Sequence, residues 1–398
     1  MKKSHSPPVA FVERKRVAVL VDTSTTWGRK LIEGVNRYSQ ERGGWELLVE
    51  PRGLEQRRWL PMGWQGDGVI ARVGLMDLAR RLKRLQIPVV NVSAITLPKV
   101  KFPRVISDQA AAAQMAAEHL VARGFRSFAY FSQLELDYVR AHQRAFAQAL
   151  EKWRYPCAVY SEPESAAQGG AGNPDMKRLV AWLQALPKPV AMFTWNSSGA
   201  RDLIYACQRV GLAVPEQVAV LSGSDDHLFC EVTPVPISAV ELDSELIGYT
   251  AARELELMMG PSGHQPDEIG IAPRGVIERR STDSLAHADP AMVKALQAMR
   301  SDFSQPMSVA QLAKRAGLSR RALELRFQSL MGQSPAIAMR RLRVEHAISL
   351  LRQTNLSVAQ VADRCGFSSP EYMANVMRAT TGESPMHYRK KHEERRVD

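Results

Sequence analysis

The chain has 398 residues, 45% of them apolar and 24% charged, and carries a net charge of +12. That length exceeds one ordinary domain and predicts two or three, while the composition excludes a disordered chain. No stretch approaches the ~18 apolar residues of a membrane span, and the leader MKKSHSPPVAFVERKR lacks the apolar core of a signal peptide, so a cytoplasmic protein with no membrane partner is expected.

Residues 1–15 read as a flexible leader. From Arg16 onward, short β-rich runs alternate with amphipathic helical stretches: RVAVLV (16–21), WELLV (45–49), DGVIA (67–71), PVVNV (88–92), SFAYF (127–131), PVAMF (189–193) and QVAVL (217–221). Continuous apolar runs between helices suit strands covered on both faces, and hence parallel α/β sheets. Residues 16–284 are therefore expected to form two doubly wound lobes with a cleft between them. The stretch VIERRSTDSLAHADP (276–290) turns charged and polar and ends in a proline, which places a domain boundary near Ser284. Beyond it, residues 285–398 contain no β-rich run and are expected to be all helical.

Inside this last region one segment occurs twice. Ser308 to Ser319 reads SVAQLAKRAGLS and Ser357 to Ser368 reads SVAQVADRCGFS, with eight of twelve positions identical. Ser308 with Gln311, and Ser357 with Gln360, have the spacing of a capping box at a helix start. Gly317 and Gly366 stand where a left-handed residue ends that helix, and Ser319 and Ser368 are placed to cap the next. Helix, tight turn and second helix describe a helix-turn-helix, whose second helix enters the DNA major groove. The charge agrees: residues 286–398 hold 18 Lys/Arg against 10 Asp/Glu, or +8 of the net +12, which suits phosphate neutralisation.

At these residues the C-terminal part resembles the AraC/XylS family of transcription regulators. Gly332-Gln-Ser-Pro335 and Gly382-Glu-Ser-Pro385 match the family's Gly-x-Ser/Thr-Pro ending, and Tyr388-Arg389 its final Tyr-Arg. Asn375 and Met377 depart from an arginine and a phenylalanine usual in the second unit. The N-terminal part resembles LacI-type, periplasmic-binding-protein-like (type I) sensor domains in VISDQAAAAQMAAEHLVARGFRSFAYFS (105–132) and GLAVPEQVAVLSGSDD (211–226). Ser197 stands where such sensors usually carry Asp. The order, sensor first and reader last, and the junction ERRSTD (278–283) are similar to the xylose operon activator (XylR) type. The resemblance implies an activator of sugar catabolic genes, controlled by a small sugar and working with RNA polymerase.

In the first repeat unit Leu323, Phe327 and Leu330 fall at i, i+4 and i+7 and are expected to face the core. Arg320, Arg321, Glu324 and Gln328 then share the exposed face, where arginine can read guanine and glutamate can accept from cytosine. Ser369, Glu371, Tyr372 and Asn375 occupy the comparable face of the second unit, with Arg378 as a phosphate partner. Between the units, Pro335 to Arg352 reads as one helix of roughly 27 Å, with Ile337, Leu342, Ala347, Leu350 and Leu351 buried against both. Its Arg340, Arg341 and Arg343 are either solvent charges or phosphate contacts. Such a connector can set two recognition helices about one DNA turn, ~34 Å, apart.

Ligands of doubly wound folds lie beyond the carboxyl ends of the strands. That points to Asp22, Thr25 and Trp27 after the first run, Arg140 or His142 beyond the fifth, Asn196 after PVAMFTW, and Asp225 after QVAVLSG. Carboxylates, amides and an arginine suit sugar hydroxyls, and an aromatic face suits the apolar side of the ring. The resemblance implies a pentose such as xylose as the leading effector, with a hexose or related polyol as the alternative.

No enzyme signature emerges. Asp225-Asp226 project in different directions and read as a helix-start cap, and Gly169-Gly170-Ala171-Gly172 precedes Asn-Pro rather than a P-loop Gly-Lys-Ser/Thr. Cys157, Cys207, Cys230 and Cys365 have no metal-ligand spacing and read as reduced, mostly buried thiols, so no cofactor or metal is expected. The partners expected are double-stranded DNA, a sugar effector and a second copy of the chain in a homodimer. A repressor answering a non-pentose ligand, and an α/β metabolic enzyme fused to a DNA-binding module, remain as alternatives.

Overall fold

A computed structural model describes residues 14–50, 60–61, 63–134, 136–160, 175–261, 264, 267–283, 289–301 and 307–394. Most of the leader and the glycine-rich stretch 169–172 lie outside these residues. The chain divides into two compact units, Met1–Val210 with Ala219–Asp283, and Ser284–Asp398 with the short Gly211–Val218 segment.

In the first unit the order is β1 (Arg16–Leu20), α1 (Thr26–Glu41), β2 (Glu46–Val49), β3 (Gly68–Ala71), α2 (Met76–Arg84) and β4 (Val89–Asn91). β5 (Val105–Ser107), α3 (Gln109–Ala122), β6 (Phe128–Phe131), α4 (Asp137–Glu151), β7 (Cys157–Val159) and α5 (Met176–Ala185) follow. Next come β8 (Val190–Thr194), α6 (Ser197–Arg209), β9 (Val218–Ser222), α7 (His227–Val232), β10 (Ser238–Glu241), α8 (Ser244–Met259), β11 (Ile269–Ile271) and β12 (Gly275–Ile277).

These strands build two sheets, ordered β2-β1-β3-β4 and β12-β10-β9-β8-β6-β7, with β5 and β11 paired beside them. β1 with β2 and β3, β3 with β4, β6 with β7 and β8, β9 with β10, and β5 with β11 pair in parallel, and β10 with β12 antiparallel. β1, β3, β8 and β9 are almost wholly buried along their length, as strands covered by helices on both faces must be. The result is the two-lobed type I architecture. The chain crosses between lobes after β5, after β10 and after β11, and the crossings are stitched together: Asp108 N–H donates to the Ile271 carbonyl at 2.8 Å, and Arg274 N–H to that of Glu241 at 2.8 Å.

α8 returns to the first lobe and packs on α1, burying Ile247, Ala251, Ala252 and Leu255 with Leu31 and Val35. Glycine permits that approach. A Cβ on Gly34 would lie 1.9 Å from the Glu245 carbonyl oxygen, and one on Gly248 would lie 2.0 Å from that of Leu31.

The second unit is all helical: α9 (Pro290–Ser301), α10 (Val309–Ala316), α11 (Arg320–Met331), α12 (Pro335–Gln353), α13 (Val358–Arg364), α14 (Pro370–Thr381) and α15 (Pro385–Glu394). Both capping boxes form, and Gly317 and Gly366 take left-handed conformations with φ of 71° and 67°. The connector α12 gives Ala338, Met339 and Leu342 to the core of the first repeat, which α9 completes with Met292, Ala295, Leu296 and Met299. Its other half gives Val344, Ala347, Ile348, Leu350 and Leu351 to the core of the second.

Four details differ from the sequence expectation. Strands β5, β7, β10, β11 and β12 were not predicted: their segments VIS, CAV, SAVE, IGI and GVI hold at most three apolar residues in a row, too little pattern to separate from loops. The second recognition helix is capped by Ser369, not Ser368, because Pro370 takes its first position. Leu330 is exposed, its expected place in the core taken by Met331. Ile337 is likewise exposed, and Ala338 faces inward instead. Among the described residues no helix is long and apolar enough to cross a membrane.

Candidate functional site

Two sites emerge, one in each unit. In the second unit, α11 buries Leu323 and Phe327 completely and so turns Arg320, Arg321 and Gln328 to solvent. Arg320 Nε lies 2.9 Å from Glu324 Oε1, one turn along the helix, with both side chains largely exposed. Arg321, Leu325 and Gln328 form the neighbouring exposed stripe at i, i+4 and i+7. Leu325, 63% exposed, lay outside the sequence reading; its exposure opposite the two core residues was the available signal.

α14 repeats this layout with different chemistry. Met373 and Met377 are fully buried, while Glu371, Tyr372, Asn375 and Arg378 are exposed. Ser369 is committed to capping, accepting from Tyr372 N–H at 3.1 Å. The Glu371 backbone N–H, helped by the Ser369 hydroxyl, holds the Glu371 carboxyl below its ordinary range. Tyr372 sets its ring edge-on to Phe367 at 6.1 Å, which fixes its direction. On α12, Arg340 is exposed, Arg341 is bonded to Glu345 at 2.8 Å and Arg343 is half-buried.

In the sensor unit the seven expected ligand residues meet different fates. Asp22 is 2% exposed and accepts from Arg72 Nη1 at 2.9 Å, an arginine the sequence reading missed. Thr25 caps α1 through Gly28 N–H at 3.1 Å, and Asn196 caps α6 through Gly199 N–H at 2.9 Å. Arg140 lies exposed on α4. His142, on the same helix, is buried: Tyr130 Oη lies 2.8 Å from its Nδ1, and Phe193 and Trp195 pack against its ring. Burial pushes its pKa down to about 3, so the ring is neutral and belongs to the core.

Trp27 and Asp225 do come together, in a narrow cavity of ≈ 10 Å³ shared with Thr26, Lys30, Ser224 and Glu241. Asp225 itself pairs with Arg279 at 2.9 Å, both side chains nearly buried. Ser197, in place of the usual Asp, is buried and accepts from Asp226 N–H at 3.1 Å while donating to the Ser224 carbonyl at 2.8 Å, which holds this loop in place.

A larger cavity of ≈ 600 Å³ opens where the chain crosses between lobes, lined by Thr96, Arg104, Ser107, Gln109, Asp137, Tyr138 and Glu268 among others. Arg104 Nη1 donates to Thr96 Oγ1 at 3.2 Å, and Arg104 Nε lies 3.1 Å from Glu268. Tyr138 packs edge-on to Trp195 at 5.1 Å. None of the seven expected residues lines it, because Arg104 and Glu268 sit at the short crossing strands that the sequence does not announce. Among the described residues no cluster of His, Cys, Asp and Glu could hold a metal ion.

Three family models match successive stretches of the chain. Residues 16–112 match the XylR N-terminal domain, 117–282 the periplasmic binding protein-like domain and 312–391 a helix-turn-helix domain. The chain is 28% identical over 388 residues to the xylose operon regulatory protein of Escherichia coli, covering 95% of this chain and 98% of that protein. It is 26% identical to the protein of the same name from Haemophilus influenzae, covering 94% and 98%. The solved structure of a xylose-binding transcription activator, xylR, superposes with a TM-score of 0.78 at 27% identity, covering 96% of this chain and 99% of that one.

Proposed function

We propose that this chain is an AraC-type transcription regulator with an XylR-type sensor half, in which a small sugar held between the sensor lobes controls how it binds DNA. The observation that carries the reading is the ≈ 600 Å³ cavity at the lobe crossings. Its volume is that of a small-molecule site. Arg104, Asp137 and Glu268 offer charged partners for hydroxyls, Thr96, Ser107 and Gln109 offer neutral ones, and Tyr138 offers a ring face. A ligand touching both lobes favours the arrangement in which both contacts exist, by its differential affinity for that state.

Xylose is the first candidate, because the relatives similar over the whole chain are xylose operon regulators and an xylR described as xylose-binding. Asp22, Trp27 and Asp225 would form the far wall of the cleft, while Thr25, Asn196 and His142 would act by holding the fold. In the reader, Arg321, Gln328, Asn375 and Tyr372 would approach base edges, with Arg320, Glu324, Ser369, Glu371 and Arg378 ordering the helices or meeting phosphates. A homodimer acting as an activator beside RNA polymerase completes the proposal; sedimentation that finds only monomer, with and without sugar and DNA, would remove the dimer.

Calorimetry of the full chain across pentoses and hexoses, paired with DNA affinity on a duplex selected from a randomised pool, tests the core of it. Xylose should bind and change the DNA affinity, and Arg104→Ala should weaken sugar binding at least tenfold. No heat from any sugar would sink the effector assignment and leave the DNA-binding one standing.

A further inference from the structure

We propose that the adjacent carboxylates Asp225 and Asp226 form a lever that couples the spacing of the two sensor lobes to the segment leading toward the DNA-reading unit. The proposal rests on the sugar-controlled reading above and names the residues that transmit it.

Asp226 sits at the residue before α7, with extended backbone and a residue type suited to capping, yet its side chain makes no cap bond. The carboxylate reaches the other lobe instead. Thr26 Oγ1 donates to Asp226 Oδ1 at 3.2 Å, and Thr26 N–H points at Oδ2 at 3.5 Å. His227 N–H answers by donating to Thr26 Oγ1 at 3.3 Å. Thr26 opens α1, so the carboxylate also faces the positive end of a 16-residue helix. Three contacts thus clasp the loop after β9 to the first lobe.

Asp225 points the other way. Its partner Arg279 is held by Glu231 at 2.6 Å and by the Ile237 carbonyl at 2.9 Å as well. The backbone around Arg279 is strapped down: Arg279 N–H donates to Ser238 Oγ at 2.8 Å, Ser281 Oγ donates to the Val220 carbonyl, and Arg123 Nε donates to the Thr282 carbonyl at 2.9 Å. Residues 279–283 are the last of the sensor before the chain passes into residue 284 and the reader.

One peptide bond therefore joins a clasp on the opposite lobe to a nearly buried ion pair on the exit segment. A nearly buried pair resists separation, since parting it leaves an uncompensated charge. Displacing Asp226 with Thr26 must carry Asp225, Arg279 and the exit segment along. Arg279 is accordingly a positioning residue, acting on DNA affinity without touching DNA or sugar.

Hydrogen exchange and binding on the full chain test this. Thr26→Val removes the hydroxyl with little change of shape. It should speed amide exchange at 225–232 and also at 279–283, and should bring the factor by which xylose changes DNA affinity to within about twofold of unity, from a wild-type factor on the order of 5-fold or more. Arg279→Lys should keep the xylose affinity within about threefold while losing the same factor. Faster exchange confined to 225–232, or an unchanged factor in both variants, overturns the lever. A wild-type chain that binds xylose without altering its DNA affinity overturns the lever and sugar control together, whereas a normal factor in the wild type and both variants overturns the lever alone.

Discussion

The two helix-turn-helix units share one scaffold and present different surfaces. In each, a serine and a glutamine form the opening capping box, a left-handed glycine ends the first helix and a serine starts the second. The turn of the second unit holds one extra residue, so Ser319 corresponds to Ser369, Arg321 to Glu371, Leu325 to Asn375 and Gln328 to Arg378. Buried positions keep their apolar character, Leu323 with Met373 and Phe327 with Met377. Exposed ones change charge and shape. Packing therefore constrains one face of each helix, and the two copies keep that face apolar while their exposed faces differ.

Breaking the scaffold should give the largest effects. Phe327→Ala should destabilise the reader by about 3–5 kcal/mol and Met377→Ala by about 2–5 kcal/mol, read as lowered denaturation midpoints. A loss below 1 kcal/mol at Phe327 would mean the first core is looser than its full burial implies. The reading faces come next. Arg321→Ala should cost about 1–3 kcal/mol on the selected duplex and relax one base position, while Asn375→Ala should cost less. Equal weakening on all sequences would assign Arg321 to phosphate alone and erase the difference between units.

Caps sharpen the comparison from the opposite side. Ser308→Ala and Ser357→Ala should each cost about 1 kcal/mol, and nearly the same in both units, because the two boxes are built alike; thermal unfolding that separates them by more than this would show the scaffolds are not equivalent. The smallest effect concerns the repeat position that holds Ala316 in the first unit and Cys365 in the second. Cys365 is fully buried and its thiol is pushed up to about 12 by that burial. It should resist alkylation at pH 8 in the native chain and react on unfolding, and rapid native labelling would reveal that the second unit opens readily.

Much of the reader was legible because its signals are local. A capping box, a left-handed glycine and a serine before a helix act within about four residues of one chain segment, so the spacing alone locates them. The sensor's parallel strands were legible for a similar reason: a run covered on both faces must be continuously apolar. Legibility ended where a side chain had a choice of distant partners. Leu330 and Ile337 fit the helical period yet lost their core places to Met331 and Ala338. Asp225 and Asp226 read as a helix cap and instead bond Arg279 and Thr26.

The sequence by itself determined the alternation of the long apolar strands with helices, the change to an all-helical C-terminal part and the double helix-turn-helix motif, since periodicity and helix-end grammar are short-range. Only the tertiary structure decided which polar residues share a cavity. Arg104 and Glu268 stand 164 positions apart and meet because β5 pairs with β11, while His142, plausible as a ligand group in the sequence, is closed in by Tyr130, Phe193 and Trp195. Such neighbours come from strand pairing and lobe packing, which depend on the whole chain's burial and leave no mark in any one segment.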